Sequence, residues 1–251
     1  MKKLNFIIKC GLALLLLSFY SCESWLNVTP SDRLSEEMLF NDREGFVKAL
    51  NGVYIELNTN ELYGRNLTAG ALDVMGQYYS VASSSHAFYN YGGLVYTGND
   101  EKALFDNMWQ KCYAVIACCN TIIEKCDENK AGLSPVWKGA IKGEALALRA
   151  MLHFDMLRLF GPLTSELDKE SIPYQTNSDQ TVTPLLSGSE VVGLILDDLK
   201  NAVGLLKDTD PYFVEEEFSD TDLNYRRFRM NYFAAKGLIC LLYTSPSPRD
   251  A

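Results

Sequence analysis

Hydrophobic residues recur along most of this chain at intervals of three and four positions, the spacing of one face of an α-helix. Four such series run from Phe46 to Leu57, from Trp109 to Ile123, from Ile141 to Leu159 and from Val192 to Leu206. Polar residues fill many of the intervening positions, so each series predicts an amphipathic helix with one buried face. The pattern therefore predicts a mainly all-α fold.

Residues at the ends of these series agree with helix termini. Ser187-Gly-Ser-Glu190 is a capping-box pattern before the fourth helix, and Gly161-Pro162 ends the third. Residues 129–135 form a short polar connection between the second and third helices, which predicts an antiparallel αα-hairpin. We therefore expect tetratricopeptide-like helical hairpins, although the segment lengths are irregular and give no clean repeat period.

Residues 77–100 differ from the rest because they lack helical spacing and are rich in Gly, Ser and aromatic residues. They predict a long aromatic-rich loop inserted between the helices. Exposed rings on such a loop can stack on the apolar face of a sugar, while amides and carboxylates bond its hydroxyl groups. The alternatives are that the rings anchor the loop to the helices, or that they form a protein interface.

The first residues of the chain are typical of a lipoprotein signal. Lys2 and Lys3 precede an apolar run over residues 11–20, which ends at Ser21-Cys22. The run is shorter than the roughly 20 residues that cross a bilayer as a helix. We expect residues 1–21 to be a signal peptide and Cys22 to carry the lipid that holds the protein on a membrane. The alternative is a soluble secretory signal with an incidental cysteine.

The last residues, 240–251, resemble one translated reading frame of an adapter used in preparing DNA for sequencing. Pro246 and Pro248 also interrupt the helical pattern that runs through Tyr232, Ala235 and Leu238. We expect this segment not to be native, which leaves residues 22–239 as the folded domain.

Charge and cysteine usage narrow the classes of partner. The formal net charge of −9 gives no electrostatic footprint for a phosphate backbone, so nucleic acid is not expected as a partner. Cys112, Cys119 and Cys126 recur every seven residues on one predicted helix, roughly 10 Å between neighbours, which is too far for a disulfide. They are interpreted, with Cys118, as small buried hydrophobic residues, and neither a metal nor a cofactor is expected.

Catalysis finds little support in the residues. The two histidines, His86 and His153, supply no metal cluster or nucleophilic triad, and there is no glycine-rich phosphate loop. His153 lies in an apolar helical series and is interpreted as a core residue. A glycoside hydrolase acting through two carboxylates stays open as an alternative, because sequence separation cannot establish the ~5 to ~9 Å spacing that such pairs need.

Several motifs together resemble the SusD/RagB nutrient-binding outer-membrane lipoproteins over nearly all of residues 22–239. These motifs are Leu26-Asn-Val-Thr-Pro30, Trp109-x-x-x-Tyr113 followed by Asn120, Gly143-Glu-Ala-Leu-Ala-Leu-Arg149-Ala150 running into Leu159-Phe-Gly-Pro162, Asp197-Asp198-Leu199, and Arg227-Phe-Arg-Met-Asn-Tyr-Phe-Ala-Ala235. The Glu144-Ala-x-x-x-Arg149-Ala helix is the most specific of them. Glu144 and Arg149 are five positions apart on one helix, so we expect each to bond neighbouring helices rather than ligand.

The resemblance implies a non-catalytic, surface-exposed lipoprotein that captures oligosaccharides for a TonB-dependent, SusC-like transporter in the outer membrane. The C-terminal part of the family fold, with half of the ligand surface, is expected to be missing. The candidate glycan-binding residues from the first half are Asp73, Tyr78, Tyr79, Tyr89, Asn90, Tyr91 and Tyr96. The alternative outside the family is a helical-repeat scaffold lipoprotein that binds a protein partner.

Overall fold

The computed structural model of the chain describes residues 36–179, 181–214 and 225–244. The expected signal peptide, Cys22 and residues 245–251 lie outside the described part. Contacts divide the chain into two compact units, residues 1–38 and residues 39–251. Of the first unit only residues 36–38 are described, and they begin the helix α1.

Helices make up most of the described residues. In chain order they are α1 (Glu36–Leu39), α2 (Arg43–Leu57), α3 (Ala71–Met75), α4 (Tyr89–Gly92), α5 (Asn99–Glu128), α6 (Pro135–Phe160), α7 (Gly188–Thr209) and α8 (Tyr232–Thr244). Two short strands, β1 (Glu170–Pro173) and β2 (Leu185–Ser187), pair antiparallel between α6 and α7. Single 3-10 turns occur at Thr164–Glu166 and Arg226–Phe228. The predicted mainly α-helical class is confirmed.

The helix ends follow local capping chemistry. Asn129 closes α5 in the left-handed conformation, and its side-chain oxygen accepts a hydrogen bond of 2.7 Å from the Leu133 amide. Ser134 then caps α6, with Pro135 in its first turn. The capping box at Ser187 and Glu190 is present at the start of α7. The predicted hairpin of α5 and α6 is confirmed, and so is the end of α6 at Gly161.

Helix α6 is the centre of the packing. It contacts α2, α5, α7 and β1, and its residues are buried around most of its circumference from Trp137 to Leu157. Such all-round burial is typical of a helix enclosed by other elements. The cysteines of α5 face this core: Cys112, Cys119 and Cys126 are buried and free, whereas Cys118 is exposed. Burial raises the pKa of the Cys126 thiol to about 12, as expected for an inert core cysteine.

One buried polar network joins α5, α6 and α7. The Arg149 guanidinium donates from Nε and Nη2 to the two carboxylate oxygens of Asp198, each at 2.7 Å, and from Nη1 to Asn120 Oδ1 at 2.8 Å. The Tyr174 hydroxyl donates to the same carboxylate at 2.6 Å. Because each polar atom finds a partner at good distance, this ion pair fixes the relative position of the three helices.

His153 belongs to the same network. Its Nε2 accepts a hydrogen bond from the Gln175 amide at 3.0 Å, so its Nδ1 donates to the Arg149 carbonyl oxygen at 2.9 Å. The ring stacks on Tyr174 with 3.9 Å between centroids. Burial, together with the charge of Arg149, lowers the pKa of His153 to about 3 against the backbone hydrogen bond, so the ring is neutral. The predicted core role of His153 is confirmed.

A second buried network lies around Glu144, five residues before Arg149 on α6. The Glu144 carboxylate accepts from the Tyr54 hydroxyl, from Arg226 and, at 2.8 Å, from Arg229 Nε. Arg226 also donates to both oxygens of Asp210, at 3.0 and 2.9 Å. These bonds connect α2 and α6 to the 3-10 turn before α8. Both Glu144 and Arg149 therefore bond to neighbouring elements, as expected.

Candidate functional site

The stretch between α3 and α5, residues 76–98, is called the aromatic loop below. It contains the helical turn α4, and α5 begins at Asn99, so the prediction that residues 77–100 are non-helical is wrong for these parts. The turn is closed by backbone bonds from Tyr89 to His86 and from Gly92 to Phe88. A single turn is too short to show a helical hydrophobic period, which is why the sequence pattern missed it.

Two residues of the aromatic loop hold strained backbone conformations. Gln77 has φ 62° and Leu94 has φ 55°, in the left-handed region that residues other than glycine rarely adopt. The Gln77 side chain donates from Nε2 to the Gly92 carbonyl oxygen at 2.9 Å, which ties the first half of the loop to the second. Strain of this kind persists where surrounding structure enforces it, and it clusters at binding sites.

Between these two residues the aromatic loop forms an open cleft with a volume of about 400 Å³. The described residues that line it are Gln77, Tyr79, Ser80, Val81, Tyr89, Asn90, Gly92, Gly93 and Val95. The Tyr79 and Tyr89 rings are 52% and 42% exposed. The cleft therefore presents two accessible rings beside an amide and uncharged neighbours.

Three of the seven predicted glycan-binding residues, Tyr79, Tyr89 and Asn90, meet in this cleft. Tyr78 is 79% exposed but lies beside the cleft, with its ring against Gly76. Asp73 is half-buried on α3 and does not line the cleft. The structure thus brings together only part of the predicted set.

Tyr91 points into the core instead, and Tyr96 is half-buried and packs against it. Tyr91 is 2% exposed, and its ring lies 6.0 Å from Phe105 and 6.2 Å from Tyr96 between centroids. Burial, with the charges of Glu101 and Asp100, raises the pKa of Tyr91 to about 12. The expectation that Tyr91 offers an exposed ring is therefore corrected, because this ring anchors the loop. The interpretation that rings anchor the loop to the helices therefore applies to Tyr91.

Glu101 is a residue of this site that the sequence interpretation missed. It lies in the first turn of α5 and is 6% exposed, and its Oε1 accepts a hydrogen bond of 2.7 Å from Asn90 Nδ2. A Cβ at Gly98 would come within 2.0 Å of Glu101 Oε2, so glycine at this position lets the carboxylate fold back under the loop. No local sequence pattern marks this contact, because Asn90 and Glu101 lie eleven positions apart.

The described lining residues of the cleft do not include the acid pair that a glycoside hydrolase would need. None of its described lining residues is a carboxylate, so the paired acids of a glycoside hydrolase are not present there. Exposed His86 accepts a bond at Nδ1 from the Phe88 amide, which gives it a local structural role. Over the described ranges, no three His, Cys, Asp or Glu side chains are grouped to hold a metal ion. Within those same ranges, no helix has the length and apolarity needed to cross a membrane.

The fold and site define a class of protein: a frame of helical hairpins that carries an aromatic, uncharged cleft on an inserted loop. Residues 24–219 match a SusD-like family described as starch-binding and associating with the outer membrane. The chain belongs to this family, which confirms the resemblance in its motifs.

Curated relatives agree with this assignment. A SusD-like protein of Formosa agariphila is 27% identical over 166 residues, which cover 64% of this chain and 30% of the relative. A SusD-like protein of Bacteroides ovatus is 29% identical over 149 residues, covering 58% of this chain and 24% of the relative. The matched region thus spans less than a third of the length of these two relatives.

Solved structures show the same fold. A SusD-like carbohydrate binding protein from Bacteroides vulgatus superposes with a TM-score of 0.62 at 23% identity, covering 82% of this chain and 42% of the other. A SusD superfamily protein from Bacteroides thetaiotaomicron gives a TM-score of 0.59 at 20% identity, covering 80% and 42%. The helical frame described above therefore has the same fold as the matched part of these two proteins.

Proposed function

We propose that this chain binds oligosaccharides in the cleft of the aromatic loop and hands them to a TonB-dependent, SusC-like transporter of the outer membrane. The observation that carries the proposal is the pair of accessible rings, Tyr79 and Tyr89, beside the Asn90 amide in one cleft. Sugar rings present C–H groups on an apolar face and hydroxyls at the edge. Aromatic faces and side-chain amides complement these two surfaces.

The support beneath the cleft favours a preformed site. Tyr91 and Phe105 pack edge-to-face below the loop, and Phe105 in turn contacts Phe160 at the end of α6. The hydrogen bond from the Gln77 side chain to the Gly92 carbonyl oxygen joins two residues of the cleft lining. A loop already held in its binding conformation loses less conformational freedom when a ligand binds, which increases affinity.

Binding without hydrolysis is the activity we propose. The family description names binding, and the cleft offers no acid pair to cleave a glycosidic bond. The buried carboxylates Glu144, Asp198 and Asp210 in the described part of the frame are bonded to arginines within the helix packing. Release of shorter sugars by the purified protein would contradict this part of the proposal.

Attachment to the outer membrane through a lipid on Cys22 is also proposed. The description of the family as associating with the outer membrane supports it. Cells grown with radioactive palmitate should label the wild-type protein and not Cys22→Ser. A tagged wild-type protein, isolated in mild detergent, should retain a large β-barrel transporter. Recovery of the lipidated protein without such a barrel would contradict the proposed partner.

The binding test uses calorimetry with a panel of hexasaccharides from α-1,4-glucan, β-1,4-glucan, β-1,4-mannan and β-1,4-xylan. We expect at least one of them to bind, and the double variant Tyr79→Ala/Tyr89→Ala to weaken that binding about tenfold or more, since each stacking contact contributes roughly 0.5–1.5 kcal/mol. Tyr212→Ala is the matched control, because Tyr212 is a similarly exposed tyrosine outside the cleft.

The alternative of a protein-binding scaffold predicts a different result. A partner held by the helical frame would bind the double variant as tightly as the wild type, and no saccharide of the panel would bind either protein. Equal loss of saccharide binding in the double variant and in Tyr212→Ala would show that the cleft is not the site.

A further inference from the structure

We infer that the cleft of the aromatic loop selects uncharged glycans and rejects glycans whose sugars carry carboxylate or sulfate groups, with Glu101 as the residue that sets this selectivity. The inference rests on the proposed function, and it names the substrate class of the same site. It follows from the charges and hydrogen bonds around Asn90.

The cleft offers an anion no cationic partner of its own. Its described lining residues are tyrosines, glycines, valines, a serine and two amides, all uncharged. Arg65 lies against the aromatic loop, with its guanidinium 5.7 Å from the centre of the Phe88 ring. Its Nε is already bonded to Asn66 Oδ1 at 3.0 Å. Arginine is the usual partner of sugar carboxylates and sulfates, because its planar fork matches their oxygens.

Backbone donors of the turn that follows Asn90 are also engaged. The amides of Gly93 and Val95 both point to the Asn90 carbonyl oxygen, at 3.2 and 2.9 Å. Successive backbone N–H groups can form an anion-binding concavity only when they are not already bonded. These two N–H groups are therefore already bonded within the turn and are not available to bind an anion.

Glu101 fixes the orientation of the Asn90 amide. An ionised carboxylate only accepts hydrogen bonds, so Asn90 must direct its NH₂ group toward Glu101, and the observed contact is Nδ2 to Oε1 at 2.7 Å. The amide oxygen is left to accept a hydrogen bond from another donor. A sugar hydroxyl can donate to this oxygen. A sugar carboxylate cannot, because both the carboxylate oxygens and the amide oxygen are hydrogen-bond acceptors.

Negative charge is concentrated directly behind this amide. Glu101 is buried, and Asp100 precedes it in the first turn of α5. The N-terminus of a helix attracts anions, and here the protein's own two carboxylates already occupy that position. Burial, and then the charges of Glu101 and Asp100, raise the pKa of Tyr91 to about 12, in agreement with a negative field at this part of the loop. A ligand anion in the cleft would meet this field with little solvent between.

The test compares sugars that differ only at C6. Maltohexaose and β-1,4-mannohexaose are each paired with the hexauronate in which every CH₂OH is a carboxylate. By calorimetry in 20 mM NaCl we expect the neutral member of the bound pair to bind at least about tenfold more tightly than its uronate. Raising the NaCl concentration to 300 mM should bring the two affinities closer together, because added ions screen the repulsion between the uronate and the protein's carboxylates.

Glu101→Gln isolates the charge. Glutamine keeps an oxygen that accepts from Asn90 but carries no charge, so we expect the ratio of neutral-sugar affinity to uronate affinity to fall about threefold or more. Asp106→Asn is the matched control, since Asp106 is an exposed acid on the same helix. It should leave both affinities unchanged.

The outcomes separate the two proposals. Uronate binding as tight as neutral binding, still weakened by Tyr79→Ala/Tyr89→Ala, would overturn the selectivity and leave the proposed function standing. An equal loss of both affinities in Glu101→Gln would show that Glu101 only supports the loop and would also overturn the selectivity. Absence of binding by either sugar pair and by the rest of the hexasaccharide panel would overturn the proposed function itself, and this inference with it.

Discussion

The helical frame and the aromatic loop of this protein are stabilised in opposite ways. In the frame, charged residues such as Arg149 and Asp198 are buried and bonded on several sides, and the packed residues of α6 and α7 are inaccessible to solvent. In the aromatic loop, short-range backbone bonds and two strained residues hold a turn that leaves Tyr79 and Tyr89 accessible. The frame therefore supplies stability, and the proposed function places recognition in the loop, so substitutions in the two regions should have separable effects.

The largest expected effect comes from breaking the buried ion pair. Arg149→Ala should lower the free energy of unfolding by about 3–5 kcal/mol, because it leaves the Asp198 carboxylate buried without its partner. Urea denaturation followed by circular dichroism measures the loss. Arg158→Ala serves as the comparison, since its ion pair with Asp155 is 3.6 Å long and its side chain is 47% exposed. A loss in Arg149→Ala no larger than that in Arg158→Ala would contradict the role of the network.

The next largest effect on stability is expected in the aromatic loop, where Tyr91 and Tyr89 should respond differently to substitution. Tyr91→Ala should cost about 3 kcal/mol of stability, because it removes a buried ring from the cluster with Phe105 and Tyr96. Tyr89→Ala, two residues away and exposed, should change stability by less than about 0.5 kcal/mol while weakening saccharide binding. Thermal melting and calorimetry of the two variants provide both readouts. The division of the loop into anchoring and binding rings would fail if Tyr89→Ala were the more destabilising of the two.

The pH dependence of stability should report His153. Its pKa is about 3 in the folded protein and 6.5 in the unfolded chain, so below pH 6.5 only the unfolded state takes up the proton. This contribution to stability is complete above pH 6.5 and is lost as the pH falls toward 3, by roughly 1.4 kcal/mol per pH unit at most.

The two histidines of the chain make the matched comparison for this effect. His153→Gln should flatten the fall in unfolding free energy between pH 6.5 and 5, which we expect to be roughly 2 kcal/mol in the wild type. His86→Gln should leave the fall unchanged, because His86 is exposed. Identical pH profiles for the wild type and His153→Gln would contradict a buried neutral imidazole.

Adding a methyl group to the cleft lining with Gly93→Ala should have the smallest effect on stability. It should still weaken saccharide binding. A Cβ added at Gly93 meets its nearest neighbours at 3.6 Å and 3.8 Å, an ordinary contact distance, so Gly93→Ala should melt within about one degree of the wild type. The added methyl group lies in the cleft lining and should weaken saccharide binding several-fold. Gly193→Ala, where the added Cβ has open space, is the control and should leave binding unchanged.

The frame could be predicted from sequence because periodicity and capping chemistry report it directly. The hydrophobic series, the capping box at Ser187 and the turn after Asn129 each have one structural interpretation, and each is confirmed. Glu144 and Arg149 were expected to bond neighbouring helices, but their partners, Arg226 and Asp198, lie too far along the chain for spacing rules to identify.

The cleft could be predicted only in part. The high frequency of aromatic residues identifies the loop in the sequence. It does not separate Tyr79 and Tyr89 from buried Tyr91, because exposure in an irregular loop depends on turn geometry and not on a regular spacing of hydrophobic residues. Glu101 was missed because its role arises from a contact with Asn90 across the loop, which no local pattern encodes.

The most direct test of the central claim is a crystal structure of the protein with the hexasaccharide of the panel that binds most tightly. The account predicts a sugar ring stacked on Tyr79 or Tyr89, with a hydroxyl donating to Asn90 Oδ1 and Tyr91 unchanged beneath the loop. Ordered sugar on another surface, with the cleft of the aromatic loop empty, would contradict it.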